Sequence, residues 1–345
     1  MMVYRLLGSV LFSFFATFFG IKKIISFCKD NIIYQPIRIA DTNYSVTVDH
    51  QNKSGTPTMG GLAMAGTILL NILLFTKSIY PIGVGYILLI ISFGFTGLLD
   101  DVYKLYYKDS LGFQGSKKLV IQLLFSSLVV LLIVANNLDY LYLPAFIPLL
   151  GVTMPLGVFI ACFFVFIITG SGNAANITDG LDGLLSVPVI LVCFSFIFII
   201  LLDIFELKPL SIKLEKSVLF DILIVLLSTI VCFLTFLIFN LHPAKIFMGD
   251  VGSLFVGAIL GYTAILLKIE FTYALMSLLF IWETITSIMQ VSCFILTKGR
   301  KRIFKMSPFH HHLEKCGWSE KKVVLSMWGS CLLCCVLSLV VYVFC

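Results

Sequence analysis

The chain reads as an all-α protein, polytopic in a membrane with about ten transmembrane helices, both termini outside and an active site at the cytoplasmic mouth. Three observations point there. Hydrophobic residues make up 59% of the 345 residues and charged ones 12%, with a mean hydropathy of +1.06. Apolar runs recur along the whole chain, at 3–21, 61–76, 82–99, 119–136, 156–170, 183–202, 219–239, 251–267, 273–296 and 323–345. No connecting segment reaches ~40 residues, too few for a separate soluble domain, so 1–345 is expected to be one integral membrane domain.

The first run has no Ala-x-Ala-like cleavage site and is expected to be a retained helix. With the N-terminus outside, ten spans return the C-terminus to the same side. The inner loops then hold Lys22, Lys23, Lys29, Arg38, Lys53, Lys104, Lys108, Lys117, Lys118, Lys245, Lys298, Arg300, Lys301, Arg302, Lys305, Lys315, Lys321 and Lys322. Arg5, Lys77, Lys208, Lys213, Lys216 and Lys268 are left outside. This is the positive-inside bias of a cytoplasmic membrane protein. The net charge of +6 is accounted for by that bias, and no nucleic-acid partner is expected. Most of the ten cysteines lie in apolar runs and read as packing residues, Cys331-x-x-Cys334 included. The Asn43, Asn52 and Asn176 sequons face inward and are not expected to be glycosylated.

Carboxylates carry the functional signal. Asp100 and Asp101 close the third run, Asp179 and Asp182 precede the sixth, Asp250 opens the eighth, and Glu283 lies inside the ninth. Ionisable groups at such places are costly and mark function by default. All but Glu283, together with all five histidines, fall on the inner side. A carrier would place polar groups near mid-membrane, reachable from both faces. One polar mouth favours an enzyme at the cytoplasmic surface.

Five stretches build that mouth. In Lys53-Ser-Gly-Thr-Pro-Thr-Met-Gly-Gly61, Gly60 and Gly61 permit close backbone approach, and Lys53 and Thr58 can meet an anion; a capped turn is the plainer reading. Asp100-Asp101 repel one another unless Mg²⁺ with substrate phosphate, a raised pKa or the nearby Lys104 compensates. Lys104, Lys108, Lys117 and Lys118 give that loop a basic surface. In Gly170–Gly183, Asn173, Asn176, Asp179 and Asp182 recur every three residues, a polar ridge if helical. In Asn240–Ser253, Asp250 could be a plain helix cap, and Phe247 either a platform for a base or simple packing. His310-His311-His312 sits in the longest basic inner loop. Consecutive side chains diverge on a helix, so phosphate contact is favoured over a shared metal. Glu283 needs a polar partner and is given no chemistry.

Taken together, from about Lys53 to Trp318, these motifs resemble the phospho-N-acetylmuramoyl-pentapeptide transferase family, within the polyprenyl-phosphate N-acetylhexosamine-1-phosphate transferases. The Gly55–Gly61 run and the triple histidine distinguish it from relatives that transfer N-acetylglucosamine phosphate. The resemblance implies transfer of phospho-MurNAc-pentapeptide from UDP-MurNAc-pentapeptide to undecaprenyl phosphate, giving lipid I and UMP, with Mg²⁺. It implies Asp250 on the metal with Asp100 or Asp101, and Asp100 as base at the lipid phosphate. His310 and Lys53 would stabilise pyrophosphate charge. Asp182 and Phe247 would hold the uracil, and Asn173, Asn176 and Asp179 the ribose and diphosphate surroundings. Thr58, Lys104, Lys118, His311 and His312 complete the substrate-binding set. The expected setting is the bacterial inner membrane, and a homodimer is left open. A covalent aspartyl mechanism stays open. So do a UDP-GlcNAc transferase of the same superfamily, an aromatic-prenylating transferase and a membrane carrier.

Overall fold

The computed structural model describes residues 2–31, 55–77, 79–107, 112–141 and 157–344. Among these, every regular element is helical. In chain order the α-helices are α1 Met2–Asp30, α2 Gly60–Phe75, α3 Val84–Tyr107, α4 Gly115–Asn136, α5 Val158–Thr178, α6 Ser186–Ile204, α7 Lys216–Asn240, α8 Asp250–Leu266, α9 Glu270–Met276, α10 Leu278–Leu296, α11 Phe309–Lys315 and α12 Glu320–Phe344. Short π- and 3₁₀-type turns at Ile79–Gly83 and Leu138–Leu141 precede α3 and follow α4. Among the described residues, eight helices are long and apolar enough to cross a membrane. The other two expected spans correspond to the shorter apolar helices α2 and α8, of 16 and 17 residues.

Helix α8 is the core. Every residue from Val251 to Leu266 is buried, because α2, α3 and α5 enclose it. Glycines make that enclosure close. A Cβ on Gly61 would fall on the Gly252 backbone, one on Gly97 on the carbonyl of Asp250, and one on Gly257 on the carbonyl of Ser171. Small residues let helix backbones approach without lipid or side chains between them. On α1, Ser9, Ser13 and Thr17 form a buried stripe at intervals of four. Ser13 Oγ donates to Ser228 Oγ on α7 at 2.9 Å, and Asn71 Nδ2 on α2 donates to Ser13 Oγ at 2.7 Å.

The two ends of the bundle differ in chemistry. At one end Arg5 donates to the Phe75 carbonyl and pairs with Asp221 at 2.6 Å, tying the starts of α1 and α7 to the end of α2. The opposite end gathers Asp100, Asp101, Asp179, Asp182, Asp250, Lys104, Lys118 and His310–His312. Three boundaries depart from expectation. Helices α3 and α5 run past the apolar stretches that end near 99 and 170, because hydropathy falls there while backbone hydrogen bonding continues. The expected span at 273–296 is two helices. They part at Ser277, whose hydroxyl bonds the Ala274 carbonyl at 3.3 Å, a local competitor for the helical ladder.

Candidate active site

The centre of the polar end is a joint between α3, α4 and α8. Asp101, in the last turns of α3, accepts from the backbone N–H groups of Asp250 at 3.0 Å and Val251 at 3.1 Å. It therefore caps α8 from another helix, supplying the negative charge that a helix N-terminus favours. The plainer alternative, in which Asp250 is itself the cap, does not hold: Asp250 is the first helical residue, with Gly249 at the cap position and φ of 77°. Gly249 is required there, since a Cβ would run into the Asp101 carboxylate.

With the cap supplied by Asp101, the Asp250 carboxylate is left for the mouth. Its Oδ1 meets Lys104 Nζ at 3.2 Å and its Oδ2 meets Lys118 Nζ at 3.1 Å. The same two ammonium groups pair with Asp100, Lys104 at 2.5 Å and Lys118 at 2.7 Å. Asp100 is fully buried and also accepts from Phe113 N–H at 2.6 Å. The local Lys104 pairing considered from sequence is present, within a four-membered network and not as an isolated pair. Gly112, with φ of 69°, lets the chain fold back over Asp100.

Asn173 and Asn176 share a face of α5. Asn173 Nδ2 donates to Gln122 Oε1 on α4 at 2.7 Å, and Asn176 Nδ2 to Ser253 Oγ on α8 at 2.9 Å. The expected helical ridge stops there: Asp179 is the C-cap of α5, and Asp182 lies in the following turn. Burial pushes the Asp179 carboxyl up to about 8, with Asp250, Asp101 and Asp182 adding like-charge repulsion. A carboxyl raised above its unfolded value weakens the fold as pH climbs from about 4 towards 8. Asp179→Asn, melted without nucleotide or Mg²⁺, should gain more in Tm over the wild type at pH 8.5 than at pH 5. An equal offset at both pH values would remove the carboxyl as the cause.

Asp182 is buried, and its Oδ2 receives Ala244 N–H at 3.1 Å and faces His242 Nδ1 at 3.2 Å. Its own N–H donates to Glu320 Oε1 at 3.0 Å. It ties the 179–183 turn to the 240–249 segment that carries Phe247. The half-buried Phe247 pairs by backbone with the glycine-rich motif: its N–H donates to the Pro57 carbonyl at 2.8 Å, and its carbonyl accepts from Gly60 N–H at 2.9 Å. Gly61 N–H donates to the Met248 carbonyl at 2.9 Å, the close approach expected of the two glycines. Thr58 is buried beside this joint. Lys53 lies outside the described residues, as do His50 and Lys108.

The three histidines diverge, as adjacent residues on a short helix must. His310 is buried, with Nδ1 3.0 Å from Glu283 Oε2. His311 Nδ1 faces Glu314 at 2.8 Å, and His312 Nδ1 accepts from Lys305 N–H at 3.1 Å. They do not share a common centre. Gln122, His242, Ser253 and Glu320 were not anticipated. They are ordinary polar residues, Gln122 inside α4, Ser253 and Glu320 in the first turns of α8 and α12, and His242 just past α7, and only the fold reveals that they hold the motif side chains. Glu283 did announce itself, as a charge inside an apolar run.

The described helices, eight of them long and apolar enough to cross a membrane, carry a carboxylate–lysine network at one end. Comparison with known proteins gives this arrangement its class. Residues 84–268 match the model of Glycosyl transferase family 4, and residues 53–63 match signature 1 of the phospho-N-acetylmuramoyl-pentapeptide-transferases. The phospho-N-acetylmuramoyl-pentapeptide-transferase of Rickettsia bellii (strain RML369-C) is 39% identical over 303 residues, covering 85% of this chain and 80% of the relative. That of Rickettsia felis is 40% identical over 288 residues, 81% of this chain and 77% of the relative. That of Orientia tsutsugamushi (strain Ikeda) is 37% identical over 336 residues, 93% of this chain and 88% of the relative. The chain belongs to the phospho-N-acetylmuramoyl-pentapeptide-transferase family.

Proposed function

We propose that this protein transfers phospho-MurNAc-pentapeptide from UDP-MurNAc-pentapeptide to undecaprenyl phosphate at the cytoplasmic face of the bacterial inner membrane, releasing UMP and leaving lipid I. The observation that carries the reading is the network of Asp100, Lys104, Lys118 and Asp250 at one mouth of a chain of this family. One phosphoanhydride is exchanged for another, so the tasks are to neutralise charge and align two phosphates. Lys104 and Lys118, now held by carboxylates, are placed to turn to phosphate oxygens when the donor enters. Asp100, buried between them, is the base at the lipid phosphate. Asn173, Asn176 and Asp179 border the diphosphate and ribose, and Asp182 with Phe247 the uracil.

Mg²⁺ fits the site. One carboxylate oxygen each from Asp100, Asp101 and Asp250 lies within 4.8 Å of the others, an all-oxygen donor set of the kind this cation takes. Asp101 uses both oxygens on α8 amides, so Asp250 and Asp100 are the better ligands. When bound, the cation would neutralise diphosphate charge and polarise the phosphorus under attack.

A carrier reading would place Glu283 alone at mid-membrane, whereas it is joined to His310. The ten-span orientation puts the mouth inside, as the basic loops support. Protein in sealed, oriented vesicles tests both points. Uridine nucleotides at ~100 times Kd on the cytoplasmic side should stabilise the protein by about 2.7 kcal/mol. From the outer side they should do nothing. Protection from the outer side alone would reverse the orientation, and protection from neither would remove the nucleotide site.

A further inference from the structure

Glu283 and His310 form a buried pair that the proposed reaction leaves half explained. Both are 0% exposed. Glu283 projects from the second turn of α10, and His310 is the second residue of α11. The Glu283 carboxylate meets Nδ1 at 3.0 Å, with the His310 backbone N–H at 3.5 Å. Accepting there places a proton on Nδ1 and leaves Nε2 as the free ring atom. That Nε2 has no hydrogen-bond partner among the described residues. A buried polar atom without a partner carries a desolvation cost and asks for a reason.

The surroundings supply one. Nε2 lies directly beneath Gly180, where a Cβ would collide with it. Gly180 is exposed and sits between Asp179 and Asp182 in the motif turn. Only glycine backbone therefore separates the unpaired nitrogen from the mouth. Any side chain at 180 would occupy the space between them.

We infer that Glu283 is a positioning residue: its carboxylate holds Nδ1–H of His310 so that Nε2, carrying the second ring proton when the donor is bound, donates to one of the donor's phosphate oxygens beside Gly180, where no side chain intervenes. A ring held only by its own rotamer freedom would lose that aim. Ligand histidines and catalytic histidines alike depend on the group that holds their second nitrogen. The inference rests on the transferase reading above.

The test is a double-mutant cycle on purified full-length protein with UDP-MurNAc-pentapeptide and undecaprenyl phosphate, each variant checked by thermal melting. Glu283→Ala and His310→Ala should each lower kcat by about 10²-fold, the low end of the range for a positioned proton-bearing group. The double variant should be no slower than the worse single, because the two act as a unit. Glu283→Gln keeps an acceptor oxygen and loses the charge, so it should stay within about tenfold of the wild type. Gly180→Ala should lower kcat in the wild-type background and have no effect on His310→Ala.

A folded Glu283→Ala protein with wild-type kcat, or losses that multiply in the double variant, would overturn the pairing. If Glu283→Ala does not fold, the Gln and Gly180 arms decide: a Gly180→Ala loss that persists without the histidine is contrary to the inference. A wild type silent on the muramyl donor would sink the transferase reading and this one with it. An active wild type with independent losses would sink this one alone.

Discussion

Asp250→Asn should slow turnover by about 10²–10³-fold, the scale seen when a principal electrostatic group is lost from a reacting centre, while the protein stays folded. The two halves of that expectation come from different residues. Helix α8 is capped by Asp101, whose oxygens take the amides of Asp250 and Val251. The Asp250 side chain contributes nothing to the cap, so an isosteric amide leaves α8 in place. The same change removes the charge that faces Lys104 and Lys118 at 3.2 and 3.1 Å and would face the metal. Rate against Mg²⁺ concentration, with melting as the control, reads the outcome. A folded variant with near-normal rate and unchanged Mg²⁺ dependence would move the metal to Asp100 and Asp101.

Asp101→Ala should do the opposite: destabilise first and lose activity as a consequence. It strips the charge-assisted partner from two buried amides at the start of the most enclosed helix. Leaving such donors unpaired costs about 1–3 kcal/mol, and the loss of favourable charge at the helix N-terminus adds to it. Asp101→Asn keeps one acceptor oxygen and should fall between alanine and wild type. Both variants should bind Mg²⁺ with the wild-type midpoint in the fraction that remains folded. A fully stable Asp101→Asn protein with a raised Mg²⁺ requirement would make Asp101 a ligand and not a cap.

These two neighbouring aspartates show where the sequence was legible and where it was not. That Asp100-Asp101 mattered followed from their position at the edge of an apolar run. Which did what could not follow, because the answer depends on α8, some 150 residues later in the chain, ending its approach against Asp101. The all-helical class and the apolar runs were readable because hydropathy in long segments depends on little else. The breaks were not: α3 and α5 continue into polar sequence, and a serine at 277 divides the ninth run. The close approach at Gly60 and Gly61 was readable, since two adjacent glycines after a proline serve few other purposes. That the Asp182 carboxylate also meets His242 and Ala244 was not readable, because this contact is set by the 240–249 segment folding back over the motif turn. His310 was singled out as one of three. Only the fold separates it from His311 and His312, by burying it on Glu283.

The most direct test of the account is turnover by the detergent-solubilised protein with undecaprenyl phosphate and Mg²⁺, offering UDP-MurNAc-pentapeptide and UDP-GlcNAc in parallel and reading the lipid product by mass. The account predicts lipid I and UMP from the muramyl donor and little product from UDP-GlcNAc. Equal turnover of both donors would make the substrate assignment too narrow, and a lipid product from UDP-GlcNAc alone would contradict it.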